Sequence, residues 1–367
     1  MRGTTRHLAL LAAAVLFLTG CTDQASTPRA SSSTAAPSVT PRPEVGIAYD
    51  IGGRGDISFN DSAGTGVDKA KADLGIEVKE LSATSGETDA DKAQRLRVLA
   101  QGGLNPVIAV GVLYQAALAE VAPEFPQVRF ALVDGTVAAA SNVTGLVFAE
   151  HQGAFLVGVA AAMKSRTGSV AFIGGCDLPL IRKYQAGFEQ GVAAARPGTE
   201  VNAAFLSSTN DRCIGFNDPV KGREVATGLY ERGADVVFTA AGGSGVGVLE
   251  AAGAAKAFVI GADRDQWVTA GAGVRPYVYT SMLKRVDVAV YDYIEAHTQG
   301  TPITGVRTYD LARRGVGYAT SGDLLDAATR RTLERYSRDI VAGRISVATV
   351  VTRLTARPGL RSPTRPV

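Results

Sequence analysis

The side chains able to do covalent or metal chemistry are few in this chain, and they are not grouped. There are three histidines, His7, His151 and His297. No two of them, and none with a cysteine, stand at metal-ligand spacing. No serine or cysteine occupies a G-x-S-x-G elbow of the kind that exposes a nucleophile. The stretch "GGSGVG" from Gly242 lacks the Lys-Ser/Thr of a phosphate loop and the final glycine spacing of a dinucleotide loop. It reads as a turn before a helix. The expectation is a protein that is not an enzyme and that needs neither metal nor cofactor.

One cysteine sits where chemistry is done upon it. Arg2 and Arg6 precede the apolar run Leu8 to Leu18, which ends in Leu18-Thr19-Gly20-Cys21. That run is well short of the ~20 apolar residues needed to span a bilayer, and it fits a signal peptide. A small residue followed by Cys at its end resembles a bacterial lipobox, which implies cleavage before Cys21 and acylation of its thiol and new amino group. Two or more acyl chains, at about 0.8 kcal/mol per buried methylene, anchor a protein stably. Residues 22–43 are mostly Ser, Thr, Ala and Pro and bury too little apolar surface to fold, so they are expected to form a tether. The body is thus expected on the outer face of the cell membrane. The formal charge of +3 is small and the Lys and Arg are dispersed, which argues against a nucleic-acid partner.

The elements that must position any site come next. Val45–Tyr49, Ile76–Leu81, Val107–Leu113 and Phe130–Val133 read as strands, with helical patterns at about 61–74, 88–101 and 114–122. This alternation predicts a parallel sheet with helices on both faces. The pattern then recurs. "VGIAYDIGG" at Val45 corresponds to "GSVAFIGGC" at Gly168, Ala63-Gly64 to Ala186-Gly187, and Glu77-Val78 to Glu200-Val201. Further on, "PVIAVG" at Pro106 matches "DVVFTA" at Asp235, and Phe130…Asp134 matches Phe258…Asp263. The offset stays between 123 and 129 residues, read off those positions. Two doubly wound α/β lobes with a hinge and an interlobe cleft are expected, the binding groups lying at the carboxyl ends of the strands. The assignment is residues 45–147 plus about 274–320 for lobe 1, 148–273 plus about 321–345 for lobe 2, and a tail over 346–367. "PYVYTSMLK" from Pro276 and the helix after it are read as returning to lobe 1.

Several segments in order resemble the basic membrane protein family, which includes bacterial purine-nucleoside receptors. They are "DIGGRGDISFNDSAGTG" from Asp50, "GGCDLPLIRKYQAGF" from Gly174, "GFNDPVKGREVA" from Gly215, "AAGGSGVGVLEA" from Ala240, "VIGADRDQW" from Val259 and "TSMLKRVDVAVYD" from Thr280. The resemblance runs from Val45 to about Ile345 and implies the type I periplasmic-binding-protein fold. It also implies a lipid-anchored receptor of an ABC importer, working with permease and ATPase subunits.

Residue by residue, the resemblance implies that Phe59 and Phe216 stack on a base, and that Asn60 and Asp134 read its edge. Asp263 would hold the ribose, with Lys284 near the sugar, while Gly242 and Gly243 would let backbone approach the ligand. Simpler roles stay open: Phe59 in the core, Asp134 and Asp263 as helix caps, Lys284 as a solvated helix-start lysine. Asp50, Asp56 and Asp61 are read as loop-pinning groups and Glu150 as a hinge or helix-start group. Asp134, Asp263, Asn60 and Lys284 together are expected to be close to balanced in charge, which suits a neutral nucleoside. A ligand-sensing signalling lipoprotein of the same fold, or a receptor for a sugar or other small metabolite, is the alternative function, and a monomer is the default state.

Cys176 and Cys213 depart from the family's usual pattern. With Cys21 acylated they are the remaining cysteines and, in an oxidising compartment, can pair. The loop-entropy model gives such a bridge roughly 4 kcal/mol. It is expected to brace the loop carrying Phe216.

Overall fold

Continuous apolar runs of four to six residues form strands here because both faces of each sheet are covered. The computed structural model describes residues 44–138 and 140–351, all within one compact unit. Cys21, the signal peptide, the tether and the end of the tail lie outside the described residues. The first lobe begins with β1 (Glu44–Tyr49), α1 (Phe59–Leu74), β2 (Glu77–Ser82), α2 (Asp89–Gln101), β3 (Val107–Val110), α3 (Gln115–Val121), β4 (Phe130–Val133) and β5 (Val143–Phe148). The chain then crosses through α4 (Glu150–Lys164) into β6 (Ser169–Gly174), α5 (Pro179–Ala195), β7 (Glu200–Phe205), α6 (Pro219–Glu231), β8 (Val236–Ala240), α7 (Gly245–Ala255) and β9 (Phe258–Asp263). It ends with α8 (Gln266–Thr269), β10 (Val278–Lys284), α9 (Val286–Thr298), β11 (Val306–Tyr309), β12 (Val316–Tyr318) and α10 (Ala327–Val341).

The two sheets have the same plan. One is ordered β11-β5-β4-β3-β1-β2 and the other β12-β10-β9-β8-β6-β7, parallel except that β12 runs antiparallel to β10. The 2-1-3-4-5 order places a topological switch between the first and third strands of each lobe, where loops diverge and leave a crevice. Alternate residues serve opposite faces. Ala48 and Ala109 turn toward α2 and α3 with Leu96, Leu99 and Leu118, while Ile47, Tyr49, Ile108 and Val110 join a core running on into the second lobe. Ala171, Ile173, Val237 and Val259 repeat the outer arrangement in lobe 2.

The expected two-lobed α/β architecture is what the chain forms, with one correction to the boundaries. β10 pairs with β9 in the second sheet and does not return to lobe 1. The repeat explains why: each sheet takes five parallel strands before the chain leaves it. α4, after β5, crosses to lobe 2 and packs on α5; α9, after β10, crosses back and packs on α1. Lobe 1 therefore regains the chain only at α9 and β11, and β12 and α10 belong to lobe 2.

α4 is buried on nearly all sides, as an almost wholly apolar helix must be. It packs closely on α5 because a Cβ on Gly158 would lie 2.3 Å from the Phe188 carbonyl, and one on Gly191 2.0 Å from that of Phe155. Among the described residues no helix is long and apolar enough to cross a membrane.

Candidate functional site

The carboxyl ends of the strands of both lobes face each other across one cavity. With the lobes in this arrangement it has an internal volume of about 60 Å³. β1 runs into a loop over Asp50–Ser58 that ends at the start of α1. Asp56 accepts hydrogen bonds from the backbone N–H of Ser58, Asn60 and Asp61, at 2.9, 2.8 and 3.0 Å, and so caps α1 in place of the residue before the helix. Asp61 accepts from Gly55 and Ile57 N–H. The loop-pinning roles expected of these two aspartates match their contacts. Ile57 is held at φ 48, an unusual conformation for a β-branched residue. The result is that Phe59, the first residue of α1, lines the cavity.

Asp134 directly follows β4 and Asp263 ends β9, at φ 70 and φ 67. Aspartate is among the few side chains that tolerate this left-handed backbone. Each then meets the other lobe. Ser58 Oγ donates to Asp263 Oδ2 at 2.6 Å, and Lys284 Nζ, at the end of β10, donates to Asp134 Oδ2 at 2.6 Å. Glu150 Oε1 lies 3.4 Å from the same ammonium. Lys284 and Glu150 are each only 1 % exposed. Lys284 Nζ also sits 5.0 Å from the ring centres of Phe59 and Phe148, and 5.7 Å from that of Tyr184. Two further bonds cross the cleft, from Gln266 Nε2 to the Ile57 carbonyl and from Arg212 to the Gly86 carbonyl, together with the Arg264–Asp61 pair. The lobes are closed on each other.

The charge of the lining differs from the expected near-balance. Asp50, Asp56, Asp134 and Asp263 face the cavity with Lys284 as the one cationic lining residue among the described residues, and Glu150 stands behind the lysine. Burial pushes the carboxyls of Asp50 and Asp56 up to about 6, and raises those of Asp263 and Glu150 as well. Burial works against the charge on Lys284, but Asp134, Glu150 and Asp263 outweigh it and raise its pKa. The pocket thus holds an excess of acid, part of it inclined to keep its protons.

Phe59, Asn60, Asp134, Phe216, Gly242, Asp263 and Lys284 all line this cavity. Asn60 also holds its own loop, Oδ1 accepting from Asp50 N–H and Nδ2 donating to the Ile51 carbonyl, with one acceptor pair and one N–H of the amide left over. Gly243 is not on the cavity; a Cβ there would meet Asn217 Oδ1 at 3.1 Å and the Phe216 carbonyl at 3.5 Å. Its smallness serves the loop holding Phe216, and so does that of Gly242, where a Cβ would lie 3.0 Å from the same carbonyl. Lys284 is no solvated lysine, and Glu150, placed at the hinge as expected, is also its counterion.

Asp50, Leu180, Ile181 and Tyr184 are among the further lining residues that were not singled out as ligand groups. Asp50 carried a signal, since it follows β1 as Asp134 follows β4. Tyr184, on α5, carried none beyond its place in the "GGCDLPLIRKYQAGF" segment. Cys176 and Cys213 are joined in a disulfide with their Cα atoms 5.1 Å apart.

Comparison with known proteins bears on this geometry. The family model described as "ABC transporter substrate-binding protein PnrA-like" matches residues 44–349. A CD4+ T-cell-stimulating antigen of Listeria monocytogenes is 33% identical over 318 residues, covering 83% of this chain and 87% of that protein. The ABC transporter nucleoside-binding protein BmpA of Lactococcus lactis is 29% identical, covering 82% and 88% of the two chains. An uncharacterized lipoprotein of Pyrococcus abyssi is 34% identical over 75% of this chain and 68% of its own. Among solved structures, an ABC transporter solute-binding protein of Aeropyrum pernix superposes with a TM-score of 0.74 at 26% identity, over 85% of this chain and 94% of that one. This chain belongs to the Bmp family of PnrA-like substrate-binding proteins, which are receptors of ABC transporters and not enzymes.

Proposed function

We propose that this receptor binds a nucleoside, a purine nucleoside by preference, in the cleft between its lobes and delivers it to the permease and ATPase subunits of an importer. The observation that carries the reading is that Phe59 from lobe 1 and Phe216 from lobe 2 line one cavity with a carboxylate at the matching strand end of each lobe. Two rings from opposite sides suit a flat heterocycle, each contact adding about 0.5–1.5 kcal/mol beyond area burial. Carboxylates accept hydrogen bonds and cannot donate when ionised, so they select ring N–H groups and vicinal hydroxyls. Four aspartates around the cavity oppose a phosphate. A relative named for nucleoside binding supports the same ligand class, and relatives named as lipoproteins support anchoring through Cys21 on the outer face of the membrane.

A thermal-shift screen of the chain from residue 44 onward against nucleosides, free bases, nucleotides and sugars tests this. A ligand at a hundredfold excess over Kd raises stability by about 2.7 kcal/mol. The largest shift is expected with purine nucleosides. A shift with a sugar and with no nucleoside would keep the receptor and overturn its ligand.

A further inference from the structure

The chain crosses between lobes after β5 and after β10, so the opposite edge of each sheet, at β2 and β7, is the side on which the cleft can open, and we call it the mouth. The segment between β7 and α6 forms lobe 2's side of that mouth. It contains only short single turns, Thr209–Asp211 and Ile214–Phe216. Its ends are held by polar contacts. Ser207 Oγ donates to the Gly175 carbonyl at 2.8 Å and accepts from Gly215 N–H, and Ser244 Oγ donates to the Gly215 carbonyl at 2.7 Å. Between those ends two successive non-glycine residues, Arg212 and Cys213, stand at φ 52 and φ 54. Such a pair persists only where its surroundings hold it. Backbone bonds hold the pair within its own segment, Arg212 N–H donating to the Thr209 carbonyl and Cys213 N–H to that of Ser208, and the tie to the rest of the lobe is the bond from Cys213 to Cys176, two residues past β6, an inner strand of the sheet.

Two functional groups hang from the tied pair. On one side Arg212 donates to the Gly86 carbonyl of lobe 1, across the mouth. On the other, Phe216 lies so close to the residue before Cys176 that a Cβ on Gly175 would sit 2.4 Å from its ring. We propose that the Cys176–Cys213 disulfide is a positioning element of the binding site, setting the Arg212 latch and the Phe216 wall together so that the oxidised chain retains its ligand longer than the reduced one. The proposal rests on the reading of Phe216 as a ligand-stacking residue. Reduction takes two electrons and two protons from a dithiol reductant, which becomes a disulfide as the two cysteines become thiols. Both cysteines are buried, at 0 % and 1 % exposure, so a reductant meets them when the mouth segment lifts. Coupling is reciprocal: if the disulfide favours ligand, bound ligand favours the disulfide.

The test measures inosine, adenosine and guanosine affinity and dissociation rate on wild type, on wild type reduced with dithiothreitol and then reoxidised, and on the Cys176→Ser/Cys213→Ser variant. Losing a charge-assisted hydrogen bond corresponds to about tenfold. Dissociation is therefore expected to be about tenfold faster in both disulfide-free forms, to return on reoxidation, and to be matched by Arg212→Ala in the oxidised chain. Bound nucleoside is expected to slow the appearance of thiols. A disulfide with a purely structural role would lower the melting temperature and leave the dissociation rate unchanged, and that result overturns the proposal. Hydrogen exchange in ligand-free wild type separates this failure from failure of the nucleoside reading. If no nucleoside binds wild type, faster exchange on reduction at both 83–87 and 207–218 still supports the latch, and unchanged exchange at 83–87 refutes it.

Discussion

Asp134 and Asp263 occupy the same place in the two lobes, at the end of the fourth strand, with φ angles three degrees apart at 70 and 67. Their partners differ. Asp134 is bound across the cleft by an ammonium, Lys284, which Glu150 shares. Asp263 receives a neutral hydroxyl from Ser58, and burial raises its pKa. Duplication of the fold repeats the backbone position of a carboxylate, whereas its chemistry is set by what the other lobe brings to it. On this view Asp134 belongs to a charge cluster that joins the lobes near the crossovers, and Asp263 is the carboxylate more readily turned over to a ligand.

The largest way to break the comparison is to remove the ammonium. Lys284→Met leaves Asp134 and Glu150 buried without their cation, which costs about 3–5 kcal/mol. Denaturant unfolding reads this, and adding Asp134→Asn is expected to restore part of the loss. A stability within error of wild type would mean that the cluster is not what joins the lobes.

The next effect concerns Asp50, the third carboxylate at a strand end. Its pKa of about 6 in the folded protein lies above the ordinary 3.8, so the folded state holds the proton more tightly than the unfolded chain does. The stability this gives is fully present below about pH 3.8 and is lost as pH rises through about 6. The shift corresponds to about 3 kcal/mol at most. Asp50→Asn should reduce the loss of ligand-free stability between those limits in a pH series of thermal unfolding, the remainder belonging to Asp56, which titrates in the same window. A slope identical to wild type would move the titration to another group.

Asp263→Ala sharpens the contrast through binding. Losing a carboxylate that accepts from two hydroxyls is expected to lower ribonucleoside affinity about a hundredfold by calorimetry, with the circular dichroism spectrum unchanged. Asp263→Asn, whose side chain also tolerates left-handed backbone, controls for the φ of 67. Retained affinity in both variants would place the sugar elsewhere. Smallest is the effect of ligand charge: nucleoside 5′-monophosphates are expected to bind about tenfold or more weakly than the nucleosides, because the lining is acidic. Equal affinities would contradict that electrostatic reading.

The duplicated plan was legible in the sequence because Asp134 and Asp263, and the strands before them, recur at a near-constant offset. The course of β10 was not. A strand's apolar pattern says that it enters a sheet but not which one, and only counting five strands per lobe would have assigned it. Phe59, Phe216 and Lys284 reached the cavity as the family resemblance implied. Gly243 did not, because the demand for a small residue there comes from Asn217 and Phe216, distant in sequence and unreadable from local pattern. Asn60 lines the cavity and also bonds Asp50 and Ile51 within its own loop, a local side-chain-to-backbone role that its place in the sequence did not announce. The charge of the site was misjudged because Asp50, Asp56 and Glu150 were read as structural. A carboxylate that pins a loop still contributes its charge to the cavity beside it.

The most direct test is a crystal structure of the chain with the purine nucleoside that gives the largest thermal shift. The expected result is a base held between Phe59 and Phe216, with ribose hydroxyls within hydrogen-bond distance of Asp263. A nucleoside bound outside the cleft, or in it with its base away from both rings, would contradict the account.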